Sequence, residues 1–465
     1  MLLHDHLDYY ARARGHLPFA QDGATVVTYD EAHRRANRVA HALLAKVEPG
    51  DRVAYIGRNS VDAALLYFAC SKAGVVPVPL NPALAAPEVD FIVDDAGAKL
   101  VLTDSLDDLL GGTDWPADEP PHRAQPTDVL YQMYTSGTTG RPKGVLLTHD
   151  NVLTNCAQVA CGLSYTIEPG DRWLIVAPLF HAAAVITAFN CVFGGGCLVI
   201  QRGFDPAAVV DALADDDIAL TTLVPAMIGA CLAVPGAADK RYPKLRAIAY
   251  GGSVIAEATL REAMRVFGCD FYQGFGQTES SAGLTYLTEL DHRAALDGRP
   301  ELLRSCGQPL PGTEIRIVDG EVLARGPQVM IGYWNRPEDT AATLQDGWLH
   351  TGDAGSLDAE GYLTIHDRIR DMVISGGENI YPVEIERVLL AHPDVTDAAV
   401  IGVPDERWGE AVHAFIVGTA EPDALREHCA QHLAKFKIPK TFETIDALPR
   451  NASGKVRKNV LRGNA

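Results

Sequence analysis

Over its first 300 residues the chain alternates short β-rich runs with helical patterns, and this alternation constrains the fold more than any other feature. Val53-Ala54-Tyr55-Ile56 reads as a strand and 61–73 as a helix with an apolar stripe. Strands at 75–78 and 100–102 flank a helix at 87–95, and further strands are expected near 129–134, 173–177, 197–201, 218–224, 246–250 and 270–273. The stretches 148–163, 205–215 and 255–267 between them are helical in pattern. Apolar strands alternating with helices predict a largely parallel sheet covered on both faces. Ligands of such sheets bind beyond the carboxyl ends of the strands, so the chemistry is sought in the loops that follow them.

From about residue 311 the pattern changes. Residues 314–318 and 321–323 flank Asp319-Gly320, a pair suited to a type I′ hairpin turn. A second hairpin is expected over 355–366, turning at 358–361. The fold class is therefore α/β: a large N-terminal domain (1–369) of mostly parallel sheets covered by helices, with a small antiparallel β-barrel-like subdomain. A compact α+β C-terminal domain (370–465) closes the chain.

Charge narrows the function. Sixty acidic residues against 40 Lys and Arg give a net charge of −20, which disfavours nucleic acid and anionic membranes as partners. Residues 431–465 run the other way, with eight basic residues and two acids, which suggests that this end meets an anion. The nine cysteines form no CxxC pair and read as reduced thiols of a cytoplasmic protein. The N-terminus has no basic segment of a secretory signal. Residues 182–200 imitate a membrane span, but Gly194-Gly195-Gly196 divides them, predicting a buried helix that feeds a buried strand rather than a span.

Five clusters carry chemistry. The first, Tyr134-Thr135-Ser136-Gly137-Thr138-Thr139-Gly140-Arg141-Pro142-Lys143-Gly144, follows a strand and is expected to precede a helix. Its glycines let backbone N–H groups approach an anion, its hydroxyls donate to phosphate oxygens, and its lysine adds charge. It is not a Walker A loop. The second is Tyr272-Gln273-Gly274-Phe275-Gly276-Gln277-Thr278-Glu279-Ser280, where an aromatic ring, a threonine and a carboxylate could stack a base, bond a phosphate and hold Mg²⁺; Gly251-Gly252-Ser253 lies after the preceding strand. The third, Trp348-Leu349-His350-Thr351-Gly352-Asp353, offers a carboxylate to paired hydroxyls. The fourth runs from Asp367-Arg368-Ile369-Arg370-Asp371 to Ser375-Gly376-Gly377-Glu378-Asn379-Ile380-Tyr381-Pro382, and the fifth is Pro449-Arg450-Asn451-Ala452-Ser453-Gly454-Lys455.

With these five in this order, the chain resembles the adenylate-forming superfamily of acyl-CoA synthetases, peptide-synthetase adenylation domains and luciferases. It looks most like bacterial acyl-CoA synthetases through 367–386, and the resemblance spans about Tyr29 to Arg462. It implies a ligase that uses ATP, Mg²⁺ and CoA. A carboxylate attacks the α-phosphorus to give acyl-AMP; the mobile C-terminal domain then rotates, and a thiol displaces AMP. By resemblance, Thr135, Ser136, Gly137, Thr138, Thr139 and Lys143 grip the β- and γ-phosphates, Thr278 meets the α-phosphate, and Glu279 holds the metal. Phe275 stacks on adenine beside Gly251, Gly252, Ser253, Tyr272, Gln273 and Gly274, and Asp353 and Arg368 hold the ribose. Lys455 bridges carboxylate and α-phosphate. Arg370 is the hinge, and Gly376, Gly377 and Glu378 line the pantetheine tunnel. Phe275 replaces the commoner tyrosine, and Arg370 the commoner Lys or Asp.

The acyl pocket is expected around Phe180, His181, Ala182, Gly276, Ala282 and Gly283, with His181 near the carboxylate. Amino-acid-activating relatives carry Asp where this chain has His181, which argues against an amino acid. The small residues Ala182, Ala183 and Ala184, without an adjoining Lys or Arg, predict a roomy apolar pocket for a small-molecule partner: a fatty, aromatic or polycyclic monocarboxylic acid. An acyl carrier protein could replace CoA, since both present a pantetheine thiol. A silent nucleotide sensor would be expected to lack Lys143, Glu279 or Lys455; all three are present. A luciferase-like oxygenase would share the adenylation half and would further need a luciferin and access for oxygen.

Overall fold

A computed structural model describes residues 1–122, 124–135, 141–162, 167–253, 255–375, 378–405, 407–450 and 455–464. Helix α1 (Leu3–Arg14) and the hairpin β1 (Pro18–Asp22) and β2 (Thr25–Thr28) lead into α2 (Tyr29–Leu44). The first turn of α2 is held by a reciprocal cap: Glu31 accepts from the Thr28 backbone N–H at 2.8 Å and the Thr28 hydroxyl accepts from the Glu31 N–H at 3.3 Å. Strand β3 (Arg52–Ile56), α3 (Val61–Ala73), β4 (Val76–Leu80), α4 (Ala86–Ala96) and β5 (Leu100–Thr103) build a three-stranded parallel sheet, and the short α5 (Asp107–Leu110) follows.

Strands β6 (Val129–Thr135) and β7 (Lys143–Thr148) are antiparallel, and α6 (His149–Gly162) begins only after β7. The glycine- and hydroxyl-rich loop therefore joins two strands instead of passing from strand to helix. The apolar run Val145-Leu146-Leu147 satisfies its backbone by pairing with β6 before His149 starts the helix. These two strands also stand outside the main sheet, in a separate three-stranded one.

The main sheet follows the predicted alternation: β8 (Arg172–Ile175), α7 (Ala182–Phe193), β9 (Cys197–Ile200), α8 (Pro206–Asp215), β10 (Ile218–Leu223), α9 (Pro225–Leu232), β11 (Ala247–Gly251), α10 (Glu257–Phe267) and β12 (Asp270–Phe275). It is completed by β13 (Thr285–Leu287), α11 (Glu289–Leu296) and β14 (Gln308–Pro309). Its nine strands run in the order β14-β13-β12-β11-β10-β8-β9-β1-β2. The run from β12 to β1 is parallel, and the edge pairs β1–β2, β12–β13 and β13–β14 are antiparallel. Alternate residues feed two cores: Trp173, Leu198 and Leu220 pack toward α7, while Leu174, Val199 and Ile248 pack toward α8–α10. The segment that imitates a membrane span is α7 and β9, joined across Gly194–Gly196. Among the described residues no helix is long and apolar enough to cross a membrane.

The antiparallel subdomain contains β15 (Glu314–Val318), β16 (Glu321–Arg325), β17 (Gly332–Tyr333), α12 (Pro337–Thr343), β18 (Leu344–Gln345), β19 (Trp348–Leu357) and β20 (Leu363–Arg368), with β17 lent to the β6–β7 sheet. At the predicted turn both Asp319 (φ 50°) and Gly320 (φ 83°) are left-handed, as a type I′ turn requires. The second predicted hairpin is β19–β20. Last comes the small α+β domain: β21 (Val373–Ser375), β22 (Glu378–Ile380), α13 (Pro382–Leu390), β23 (Val395–Asp405), β24 (Gly409–Gly418), α14 (Pro422–His432), β25 (Thr441–Thr444) and α15 (Lys458–Asn464). It has its own core, including Ile385, Val400 and Ile416.

Where β11 and β12 end, Gly251 lies opposite Gly274, and a Cβ on Gly251 would stand 2.4 Å from the Gly274 carbonyl oxygen. Gly251→Ala should therefore lower stability by about 1–3 kcal/mol, the usual cost of overpacking against rigid backbone. Gly203→Ala, where a Cβ meets nothing within 4 Å, should not. Urea unfolding of both variants checks the contrast.

Candidate active site

The strand ends gather the predicted residues. Thr135 closes β6 opposite Lys143, the first residue of β7. Lys143 donates to Asp339 in α12, and its ammonium lies 5.2 Å from the centre of the Tyr333 ring. The Tyr333 hydroxyl donates to Glu279 Oε1 at 2.8 Å, and burial together with the Glu279 charge pushes that phenol well above its usual range. Glu279 is 8% exposed, in the short turn Thr278–Ser280 after β12. The next two residues, Ser281 (φ 56°) and Ala282 (φ 99°), both sit at positive φ, strain of a kind concentrated at functional sites. Lys143, Tyr333, Glu279 and Asp339 thus form one chain of contacts. The sequence reading missed Tyr333 and Asp339 because nothing local marks them; they arrive when β17 pairs with β7.

On the other side of Glu279 stand the ribose candidates. Asp353 on β19 and Arg368 on β20 are register partners, with Arg368 Nε 2.9 Å from Asp353 Oδ1. Arg368 Nη1 also donates to the Thr351 carbonyl at 3.1 Å, and Gln277 Nε2 donates to the same oxygen at 3.2 Å. This shared acceptor ties the loop after β12 to the hairpin that carries Asp353. Phe275 ends β12 half-buried, and Gly252 (φ 81°) and Ser253 are exposed beside it. Tyr272 differs from expectation: its ring is fully buried and packs toward Tyr286, because alternation along β12 turns it into the core. Gln273 faces the other way, accepting from the Tyr250 hydroxyl at 3.3 Å.

Phe180 and His181 lie on the turn between β8 and α7. The Asn59 amide donates to the Val176 and Ala177 carbonyls and accepts from the Leu179 N–H, and the Tyr67 hydroxyl donates to the Leu179 carbonyl at 2.7 Å. These two positioning residues carried no signal in the sequence. His181 is held neutral: burial, and secondarily the Lys455 charge, lowers its pKa to about 4. The charge of Lys455, far off in the sequence and on the small domain, therefore reaches His181. Of the expected pocket residues, Ala182 packs into the core, a Cβ on Gly276 would strike the Ala282 carbonyl, and a Cβ on Gly283 would meet Asn155 and Leu310. Ala183 is the residue of α7 that remains exposed.

Half of the basic C-terminal stretch is matched by the protein's own acids. Lys437 pairs with Glu384, Arg450 with Asp397, Lys458 with Glu386 and Arg462 with Asp371. Four of the eight basic residues of the expected anion-facing tail are thus engaged by the protein's own acids, and an isolated bridge joins Arg450 to Val456, the residue after Lys455. Arg370 lies in the turn Ile369–Asp371 and Glu378 is exposed on β22. Ser136, Gly137, Thr138, Thr139, Gly376 and Gly377 lie outside the described residues.

The oxygen donors Glu279 and Thr278 suit a hard divalent ion such as Mg²⁺. The close approach of Gly251 and Gly274, with open space at Gly252, suits a flat base laid on backbone.

Residues 7–334 match the AMP-binding enzyme family and residues 384–455 match the C-terminal domain of AMP-binding enzymes. The chain belongs to this family. It is 39% identical to the fatty acid–[acyl-carrier-protein] ligase ScoC of Streptomyces coeruleorubidus, over 95% of this chain and 92% of that protein. It is also 39% identical to a feruloyl-CoA synthase of Amycolatopsis, over 97% and 96%. The o-succinylbenzoate CoA synthetase of Bacillus subtilis, solved with its acyl-adenylate intermediate, superposes with a TM-score of 0.88 at 34% identity, covering 98% of this chain and 97% of that one.

The His181–Lys455 coupling has a measurable consequence. Unfolded, the imidazole titrates near 6.5; folded, near 4. The unfolded state then binds more protons between these values, so this group's contribution to stability rises with pH across the window and is complete above it. In Lys455→Ala the His181 titration should move up, yet stay below 6.5 because burial is the larger cause. NMR titration of the histidine ring checks this, and an unmoved pKa would separate the two residues.

Proposed function

We propose that this chain is an AMP-forming acid–thiol ligase that activates a hydrophobic or bulky monocarboxylic acid with ATP and passes the acyl group to the thiol of CoA. The observation that carries the reading is the grouping at the strand ends of Lys143 with Asp339, Tyr333 with Glu279, and Asp353 with Arg368, in a chain whose two parts match AMP-binding enzymes; the Lys455 charge that helps keep His181 neutral supports it. Bringing a carboxylate onto a phosphate requires two anions to be neutralised at once, and preorganised charge in a partly desolvated site does this most effectively.

The roles follow from position. Lys143, with the loop from Thr135, meets the β- and γ-phosphates once it exchanges its Asp339 partner for them. Thr278 donates to the α-phosphate, and Glu279 would hold Mg²⁺, with Tyr333 orienting the carboxylate. Bound Mg²⁺ supplies Lewis-acid neutralisation of the phosphate charge. Phe275 stacks the adenine beside Gly251, Gly252 and Ser253. Asp353, steadied by Arg368, accepts from the ribose hydroxyls. Neutral His181 closes the carboxylate end of the acyl site without competing for negative charge, leaving Lys455 to bridge carboxylate and α-phosphate. AMP then leaves as the thiol attacks the acyl carbon.

The domain boundary belongs to this reading. With residues 1–369 carrying the nucleotide and acyl sites and 370–465 carrying Lys455, a swing about Arg370 withdraws the lysine and opens the path assigned to Gly376, Gly377 and Glu378. A cytoplasmic setting fits nine free cysteines. The likeness to an acyl-carrier-protein ligase favours a second acceptor, the pantetheine arm of a carrier protein.

Lys455→Ala should slow acyl-AMP formation by roughly 10²–10³, the typical cost of losing a preorganised charge at a reacting centre. It should still convert supplied acyl-AMP and CoA to thioester. Separate assays of the two half-reactions check the split, with fatty and aromatic acids scored by AMP release and thioester mass. Equal slowing of both halves would overturn the alternating-domain mechanism, and no AMP release with any acid would overturn the ligase reading.

A further inference from the structure

Helix α7 is mostly apolar and carries no charged residue in its first or last turn, and its two polar side chains, Thr187 and Asn190, share a stripe with Ala183. Ala183, Thr187 and Asn190 recur at i, i+4 and i+7, on one face. The stripe starts at the acyl end: Ala183 is exposed beside His181, whereas Asn190 is 1% exposed. Thr187 is fully engaged, donating to the Ala183 carbonyl at 2.8 Å and lying 3.1 Å from the Thr222 hydroxyl on β10. Asn190 is not: among the described residues neither its Nδ2 nor its Oδ1 has a hydrogen-bond partner. At the same end of the layer, Trp173 on β8 faces α7 with its buried Nε1 also unpartnered. Buried polar groups in native proteins are nearly always paired, and each exception calls for an explanation.

Opposite Thr187 the facing surface is short and partly exposed, at Thr222 and Ala249. Thr222 is the register partner of Ala249, and Ala247 lies two residues before it on the same face of β11, beside Leu220 and Trp173, so the short side chains of the facing surface lie on the β11 side of the stripe. At 1.5 Å per residue, Thr187 lies about 9 Å and Asn190 about 13 Å along the helix from His181. At roughly 1.2 Å per bond of an extended chain, the longer span matches about ten carbons.

We propose that Asn190 is the hydrogen-bonding end of the acyl chamber, and that the acid this protein activates carries a hydroxyl group on its tail about ten atoms from the carboxylate. The inference rests on reading the surroundings of His181 and Ala183 as the acyl site. A hydroxyl can donate to Oδ1 and accept from Nδ2 together, so one group satisfies both orphaned atoms. A charged tail would be desolvated with no counter-ion on α7, which excludes dicarboxylates and amino acids at this depth.

The test compares ω-hydroxydecanoic with decanoic acid in pyrophosphate release. A site built to bond a hydroxyl discriminates strongly against the analogue lacking it, so the wild type should favour the hydroxy acid by at least about tenfold in kcat/KM. Asn190→Leu, close in shape and apolar, should reverse that preference. Its Tm without ligand should equal or exceed the wild-type value, since an unpaired buried amide is removed. Asn190→Ala, which adds no volume, should lose the preference as well. A wild-type ratio of one or less, a ratio unchanged in both variants, or a fall in the Asn190→Leu Tm overturns the assignment. In each of those cases, pyrophosphate release with either acid leaves the ligase reading standing; no AMP formed from any acid overturns both.

Discussion

Burial, assisted by the charge of Lys455, keeps the His181 imidazole neutral, and this links a lysine of the small domain electrostatically to the large domain. His181 is fixed by a turn that Asn59 and Tyr67 clamp to the first parallel sheet. Lys455 is fixed by the small domain, whose last helix is tied back to the start of that domain through Lys458–Glu386 and Arg462–Asp371. A neutral imidazole beside a cation is the combination a carboxylate substrate requires: the cation attracts it, and the ring contributes no second charge to be satisfied.

The junction between the domains is itself electrostatically poised. Asp367, immediately before Arg368, is buried, and burial raises its pKa to about 6 despite the opposing Lys458 charge. It accepts from the Arg368 and Val383 backbone N–H groups, so one carboxylate joins the last strand of the large domain to the first helix of the small one. Burial also works against the charge of Lys458, but Glu386 and Asp367 more than offset it and hold the ammonium above its usual range. These contacts describe one orientation of the small domain on the large one. A second orientation would have to re-pair them, and charged groups of this kind can do so without unfolding either core.

Stability and function diverge in α7. Its apolar residues fill the core against β8 and β9, and that packing would be served equally well by a leucine at 190. Retaining an amide there, with both polar atoms unpaired, sacrifices stability of about 1–3 kcal/mol. The positive φ of Ala282 beside Glu279 is a second local cost at the same site.

Much of this was legible in the sequence. Strand and helix periodicity located nearly every element between residues 52 and 275, and Asp319-Gly320 announced its hairpin, because both signals are local. The order of the motifs pointed to the family, and the matches over residues 7–334 and 384–455 bear that out. Pairing partners distant along the chain were not legible. That β7 intervenes before α6, that Tyr333 and Asp339 meet Glu279 and Lys143, and that half of the basic tail pairs with acids elsewhere in the small domain and its junction depend on long-range strand pairing and docking. Nor could composition show that Tyr272 faces the core, or that Asn190 alone among the α7 side chains lacks partners. Sequence determines which groups are present and the local geometry each prefers; which of them share a buried space, and which are left unsatisfied there, is decided only when the elements pack.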